Sequence, residues 1–133
     1  MNALRMVLFF TVASLFGACS TTSLPLGTPT DADKEAAMHN DEGIQSYRQG
    51  QWEEAKEHFE DAIMADPDLA EPHYNLALTL DQLGFQVEAT RHFNQGAALA
   101  PTNTAITGSQ AYTRHTETHQ RDFGSRYGGM GGN

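Results

Sequence analysis

The chain has 133 residues, and 17 Asp+Glu against 8 Lys+Arg give a formal charge of −9, with six His and one Cys. That length holds one small domain, and the acidity argues against the clustered basic surface that nucleic-acid binding needs. One Cys excludes an internal disulfide framework and a Cys-rich zinc site, and glycines without a fixed period exclude collagen.

At the start, Arg5 precedes an apolar run from Met6 to Ala18, too short for the roughly 20 residues that span a bilayer. A charged start, a short apolar run and then small residues predict a secretory signal peptide over residues 1–18. The stretch Leu15-Phe16-Gly17-Ala18-Cys19 resembles a bacterial lipobox, with Phe16 departing from the usual aliphatic residue. The resemblance implies that Cys19 is lipidated and becomes the new N-terminus, this covalent lipid being the only cofactor-like group expected. Ser20 in the next position implies, by the same resemblance, anchoring to the outer membrane on its periplasmic face. Ordinary signal-peptidase cleavage after Ser20, through Ala18-Cys19-Ser20, is the rival. Residues 19–32, poor in bulky groups and interrupted by Pro25 and Pro29, are expected to form a flexible tether reaching some 20 Å.

A 34-residue period follows. It pairs Ala36 with Ala70, His39 with His73, Gly50 with Gly84, Glu54 with Glu88, Ala55 with Ala89, His58 with His92, Phe59 with Phe93 and Pro67 with Pro101. Each unit reads as two helices. The first helix spans Asp33 to Gln49 and closes at Gly50, suited to a left-handed position. The second spans Trp52 to Ala65, with Ala55, Phe59, Ala62 and Ile63 on one face, and Asp66-Pro67 stops it. In the next unit a helix begins at Asp68 or Glu71 and ends at Gly84, and another runs from Phe85 to Ala100 before Pro101.

Counted from Ala36 and from Ala70, small residues fall at repeat positions 8, 20 and 27, an aromatic at 24 and Pro at 32. This pattern resembles the tetratricopeptide repeat (TPR) over residues 36–69 and 70–103. Two departures stand out: His39 and His73 at the usually aromatic position 4, and Glu42 at position 7, where Leu is usual and Leu76 stands in the second unit. The expected fold is all-α, a short α-solenoid of two TPR helix-turn-helix units plus a capping helix. The TPR domain then covers 33–121, its capping helix 103–121, and a Gly-rich disordered tail 122–133. Two units are few for a stable array, so self-association is an open expectation alongside partner binding.

Little in the sequence points to chemistry. No nucleophile, phosphate loop or paired-carboxylate pocket survives inspection, and a non-catalytic protein is expected. The repeat-equivalent histidines sit in successive units, which favours duplication over a common metal centre. His115 and His119, spaced i, i+4, are the candidates for a metal site, without an evident third ligand. An alternative function is therefore a His-dependent periplasmic metal-binding protein.

TPR proteins line a groove with the first helix of each unit. Residue by residue, the resemblance implies Ala37, Asn40, Ile44, Tyr47 and Arg48, then Glu71, Tyr74, Leu78, Asp81 and Gln82, with Tyr112 and His115 extending the surface. Ile44 and Leu78 can equally be core between helices. With Arg48 the only groove cation, a basic clamp for a C-terminal carboxylate is not expected. Residues 36–103 hold 12 Asp+Glu and 3 Lys+Arg, which disfavours direct contact with an anionic membrane. The expected role is a protein-binding scaffold or adaptor for a protein or peptide partner in a pilus, secretion or other envelope assembly.

Overall fold

Among the residues described by a computed structural model, 23–127 with side chains as far as Thr118, six helices follow one another in chain order. They are α1 (Lys34–Arg48), α2 (Trp52–Ala65), α3 (Ala70–Leu83), α4 (Gln86–Leu99), α5 (Thr104–Thr107) and α6 (Gln110–Tyr127). No strand occurs among the described residues. The expected signal peptide over residues 1–18, Cys19 and residues 128–133 lie outside the described residues. No described helix is long and apolar enough to cross a membrane.

Local chemistry sets the helix ends. Asp33 caps α1 by accepting the N–H groups of Glu35 (2.9 Å) and Ala36 (3.1 Å), which relieves two orphan donors. Gly50 and Gly84 both adopt positive φ, 76° and 85°. The next residue then donates back into the helix: Gln51 N–H to Ser46 O (3.0 Å) and Phe85 N–H to Leu80 O (2.9 Å). The α1–α2 and α3–α4 turns are thus the same turn used twice, and the left-handed residue must be Gly for it to form without strain.

Helix α1 packs on α2 and α3 on α4, while α2 lies against α3 to join the units. Close approach explains the small residues. A Cβ added to Gly43 would sit 2.5 Å from the Phe59 ring, and one on Gly96 would sit 3.1 Å from Ala70 O. Phe59, Phe93, Tyr74 and Leu76 fill the space between helices, and one core runs from Ile44 to Ala111. This is the two-unit α-solenoid with a C-terminal cap that the 34-residue period predicts.

Three sequence expectations need correction. The single capping helix is split, because Gly108 closes α5 (its N–H to Thr104 O, 3.0 Å) and the Ser109 hydroxyl accepts Tyr112 N–H (3.1 Å) to start α6. A cap residue directly after a glycine restarts the chain in a new direction. Helix α6 also continues to Tyr127, so residues 122–127 belong to the helix and not to a tail. Gly124 costs that helix about 1 kcal/mol relative to Ala, which an otherwise helix-compatible run tolerates. Finally, the described part of the expected tether does not hang free: Ser23 to Gly27 lies against α1, α3 and the start of α6.

Candidate functional site

The inner surface is built from α1, α3 and the α5–α6 junction, and the segment Ser23–Gly27 crosses it. Asn75 on α3 meets Leu26 with both ends of its amide. Its Oδ1 accepts the Leu26 N–H (2.7 Å) and its Nδ2 donates to the Leu26 carbonyl (2.8 Å). The second Nδ2 hydrogen goes to Asn40 Oδ1 (2.8 Å), and Asn40 Nδ2 donates to the same Leu26 carbonyl (3.1 Å). Both asparagines are fully buried. Each amide hydrogen of Asn75 and each lone-pair site of the Leu26 carbonyl is therefore used, the condition under which buried amides are tolerated. At the far end Ser23 Oγ accepts the Ala111 N–H (3.2 Å), one of the orphan donors of α6.

The asparagine grip reads backbone, while the Leu26 side chain packs against the core beside it. An extended segment offers the N–H and C=O of one residue on one side, and a carboxamide matches that pair. Beside the segment are two open hollows. One is lined by Pro25, Gly27, Asp41, Ile44 and Arg48, the other by Leu24, Leu26, Tyr74, Ala105 and Ser109.

The groove residues expected from sequence divide into two sets. Asn40, Ile44, Arg48 and Tyr74 line or hold the segment, although Ile44 and Tyr74 are also core. The others are committed elsewhere. Leu78 is buried core. Glu71 is buried and receives Asn103 Nδ2 (3.3 Å), tying α3 to the start of α5. Tyr47 stacks edge-on with Trp52 at 4.9 Å; its hydroxyl pairs with Gln82, and burial and then the Asp81 carboxylate push its pKa up. Tyr112 is half-buried against the core. Asn75 was missed by the repeat positions, which place groove residues one helical step earlier. Its signal is a lone amide inside the apolar run Tyr74-Asn75-Leu76-Ala77-Leu78.

Asp81 docks the cap. It accepts Arg114 Nη2 (2.6 Å), His115 Nε2 (3.2 Å) and Gln86 Nε2 (3.0 Å). His115 is buried against Phe93, and its Nδ1 lies 2.9 Å from Thr90 Oγ1. Both ring nitrogens of His115 are thereby occupied, which removes it from the expected metal pair. The side chain of His119 lies outside those described.

The other histidines pair inside each unit, His39 with His58 and His73 with His92. Antiparallel helices bring repeat positions 4 and 23 face to face, a relation that a comparison across units does not reveal. In the second unit the protons can be assigned. Pro67 O only accepts, so His73 Nε2 at 3.1 Å donates to it. Neutral His73 then accepts at Nδ1 from His92 Nδ1–H, 3.2 Å away. His92 Nε2 is left as an acceptor and faces Arg91 Nη2 at 3.3 Å. Both rings are held neutral: burial foremost lowers the pKa of each, that of His92 to about 4 with help from His73 and Arg91.

The family model for the TPR repeat matches residues 44–84. The matched span runs from Ile44 in α1 through α2 to the glycine that ends α3. TPR repeats generally mediate contacts between proteins and have no catalysis of their own. No curated protein matches the chain.

Proposed function

We propose that this protein is a non-catalytic adaptor whose TPR groove holds an extended peptide segment of a protein partner in the cell envelope. The observation behind this reading is the paired Asn40–Asn75 grip on the Leu26 backbone, a recognition mode that any extended segment can satisfy. The chain's own Ser23–Gly27 acts as the resident occupant, and a partner segment takes its place. Because the body is acidic, basic or neutral partners are favoured over anionic membrane surfaces.

The lipobox-like Leu15–Cys19 stretch supports an anchor: Cys19 is lipidated, and the protein is held at the outer membrane facing the periplasm. With Ser23 docked, only about four residues separate anchor from body, roughly 13 Å when extended. Release of the segment restores the full tether of some 20 Å. Partner capture and distance from the membrane are then linked.

Two experiments test this. Mass spectrometry of the membrane-extracted protein should find an acylated N-terminal Cys19; an unmodified N-terminus at Thr21 overturns the anchor. A photo-crosslinking residue at Arg48, exposed at the groove edge, should capture a second protein in cells. That adduct should be lost in Asn40→Ala/Asn75→Ala. Capture of this chain alone, or an adduct unchanged in the variant, overturns the groove reading.

A further inference from the structure

The two repeat units differ where their histidines meet. On α1, His39 and Glu42 are spaced i, i+3, and on α2 so are His58 and Asp61. That spacing places each His beside its carboxylate on one helix face. The facing helices bring the two dyads together. Glu42 Oε2 lies 3.4 Å from His39 Nδ1 and 3.4 Å from His58 Nδ1. Ligand atoms of His39, His58 and Asp61 all fall within 4.8 Å of one another.

These spacings suit a metal better than they suit hydrogen bonds. Tetrahedral bonds of about 2.0–2.1 Å to N and O set neighbouring ligand atoms about 3.3 Å apart, close to the two Glu42–imidazole separations. His39 Nδ1 is moreover buried and makes no hydrogen bond, an unmet polar atom that normally has a partner. The second unit is the internal contrast. Its equivalents of Glu42 and Asp61 are Leu76 and Gln95, and its histidines satisfy each other and Pro67 by hydrogen bonds. The unit with carboxylates has an unsatisfied imidazole; the unit without them does not.

We propose that His39, His58 and Asp61, whose ligand atoms already converge, form a site for one divalent transition-metal ion of the zinc class, with the Glu42 carboxylate beside the two imidazoles drawn in as the fourth ligand on binding. Two imidazoles and two carboxylates are ligands of intermediate softness, apt for Zn²⁺ and poor for Mg²⁺ or Ca²⁺. The ion would bridge α1 and α2 and fasten the first unit, where Glu42 replaces the usual apolar residue. This also accounts for the departure confined to the first unit, Glu42 at position 7.

Titration of the full chain with ZnCl₂ tests the site. One Zn²⁺ per chain is expected, together with a rise in Tm. Glu42→Leu installs the residue that the second unit already carries at this position, so the fold should persist, with a metal-free Tm at or above the parent's. Its Kd for Zn²⁺ should rise at least tenfold, as should that of His58→Gln. His92→Gln, in the other unit, should bind as the parent does. Absence of saturable uptake by the parent overturns the proposal. So does undiminished uptake by the Glu42→Leu/His58→Gln double variant, which would put the ion on other residues.

Discussion

Asn75 holds Leu26 by both of its backbone polar atoms, 49 residues away in sequence. The contact ignores the Leu26 side chain, so the two ends of the amide can be tested separately from packing. Leu26→Pro removes the N–H and strands Asn75 Oδ1 in the core, at a cost of about 1–3 kcal/mol. That cost falls on docking and not on the helices. Limited proteolysis within residues 23–27 should become rapid while helicity is unchanged, and Leu26→Ala, which keeps both backbone bonds and loses only a partly buried side chain, should be cleaved more slowly than Leu26→Pro. Rapid cleavage in both variants would show that the side chain holds the segment.

Gly43 faces Phe59 so closely that an added Cβ would lie 2.5–2.9 Å from three ring atoms. Gly43→Ala gains about 1 kcal/mol of helix propensity and meets an overpacking penalty of about 1–3 kcal/mol. Because the Phe59 ring is fully buried, it has little room to turn, and the penalty prevails. Thermal unfolding should show Tm lower by several degrees. A Tm equal to or above the parent's would mean that the ring yields freely.

The 34-residue period made much of this legible. It set α2 at Trp52–Ala65, placed left-handed glycines at Gly50 and Gly84, and put a small residue opposite Phe59, because each depends on local spacing and on one neighbouring helix. The grip on Leu26 was not legible in the same way. Residues 23–27 carry no helical or strand pattern, and their partners are two asparagines far along the chain, so nothing local announces the contact. The histidine pairing within each unit was hidden for a related reason. A repeat comparison aligns His39 with His73, whereas space pairs His39 with His58, since the antiparallel hairpin folds position 4 onto position 23. The break at Gly108-Ser109 did have a local signal, a glycine followed by a capping hydroxyl, inside a stretch otherwise patterned as one helix.

Asp81 connects the repeat body to the cap through Arg114 and His115. The Arg114 side chain is largely exposed and His115 is buried, so the two bonds are unequal: the exposed pair contributes little, whereas loss of the His115 partner leaves a buried N–H unmet. Asp81→Ala should therefore loosen α6 by about 1–3 kcal/mol, and Arg114→Ala by under 1 kcal/mol. Amide exchange across residues 110–118 reads the difference. Equal acceleration in both variants would place the docking energy in the exposed ion pair.

The His73–His92 chain of hydrogen bonds works only with both rings neutral, because protonating either turns an accepting nitrogen into a donor facing another N–H. His92 titrates at about 4 in the folded protein, against about 6.5 in an unfolded chain. Between those values the unfolded chain binds more protons, so stability rises with pH there. The contribution is complete above about pH 6.5 and is lost as pH falls toward 4. At this half-buried site, solvent screening reduces it to roughly 1 kcal/mol, or several degrees of Tm in a domain of this size. His92→Gln keeps a hydrogen-bonding side chain that does not titrate. Carboxylates also titrate toward the acid end, so the comparison between parent and variant isolates the histidine. The parent should lose more Tm than His92→Gln between pH 7 and pH 4.5, and parallel curves would show that the pair does not govern acid stability.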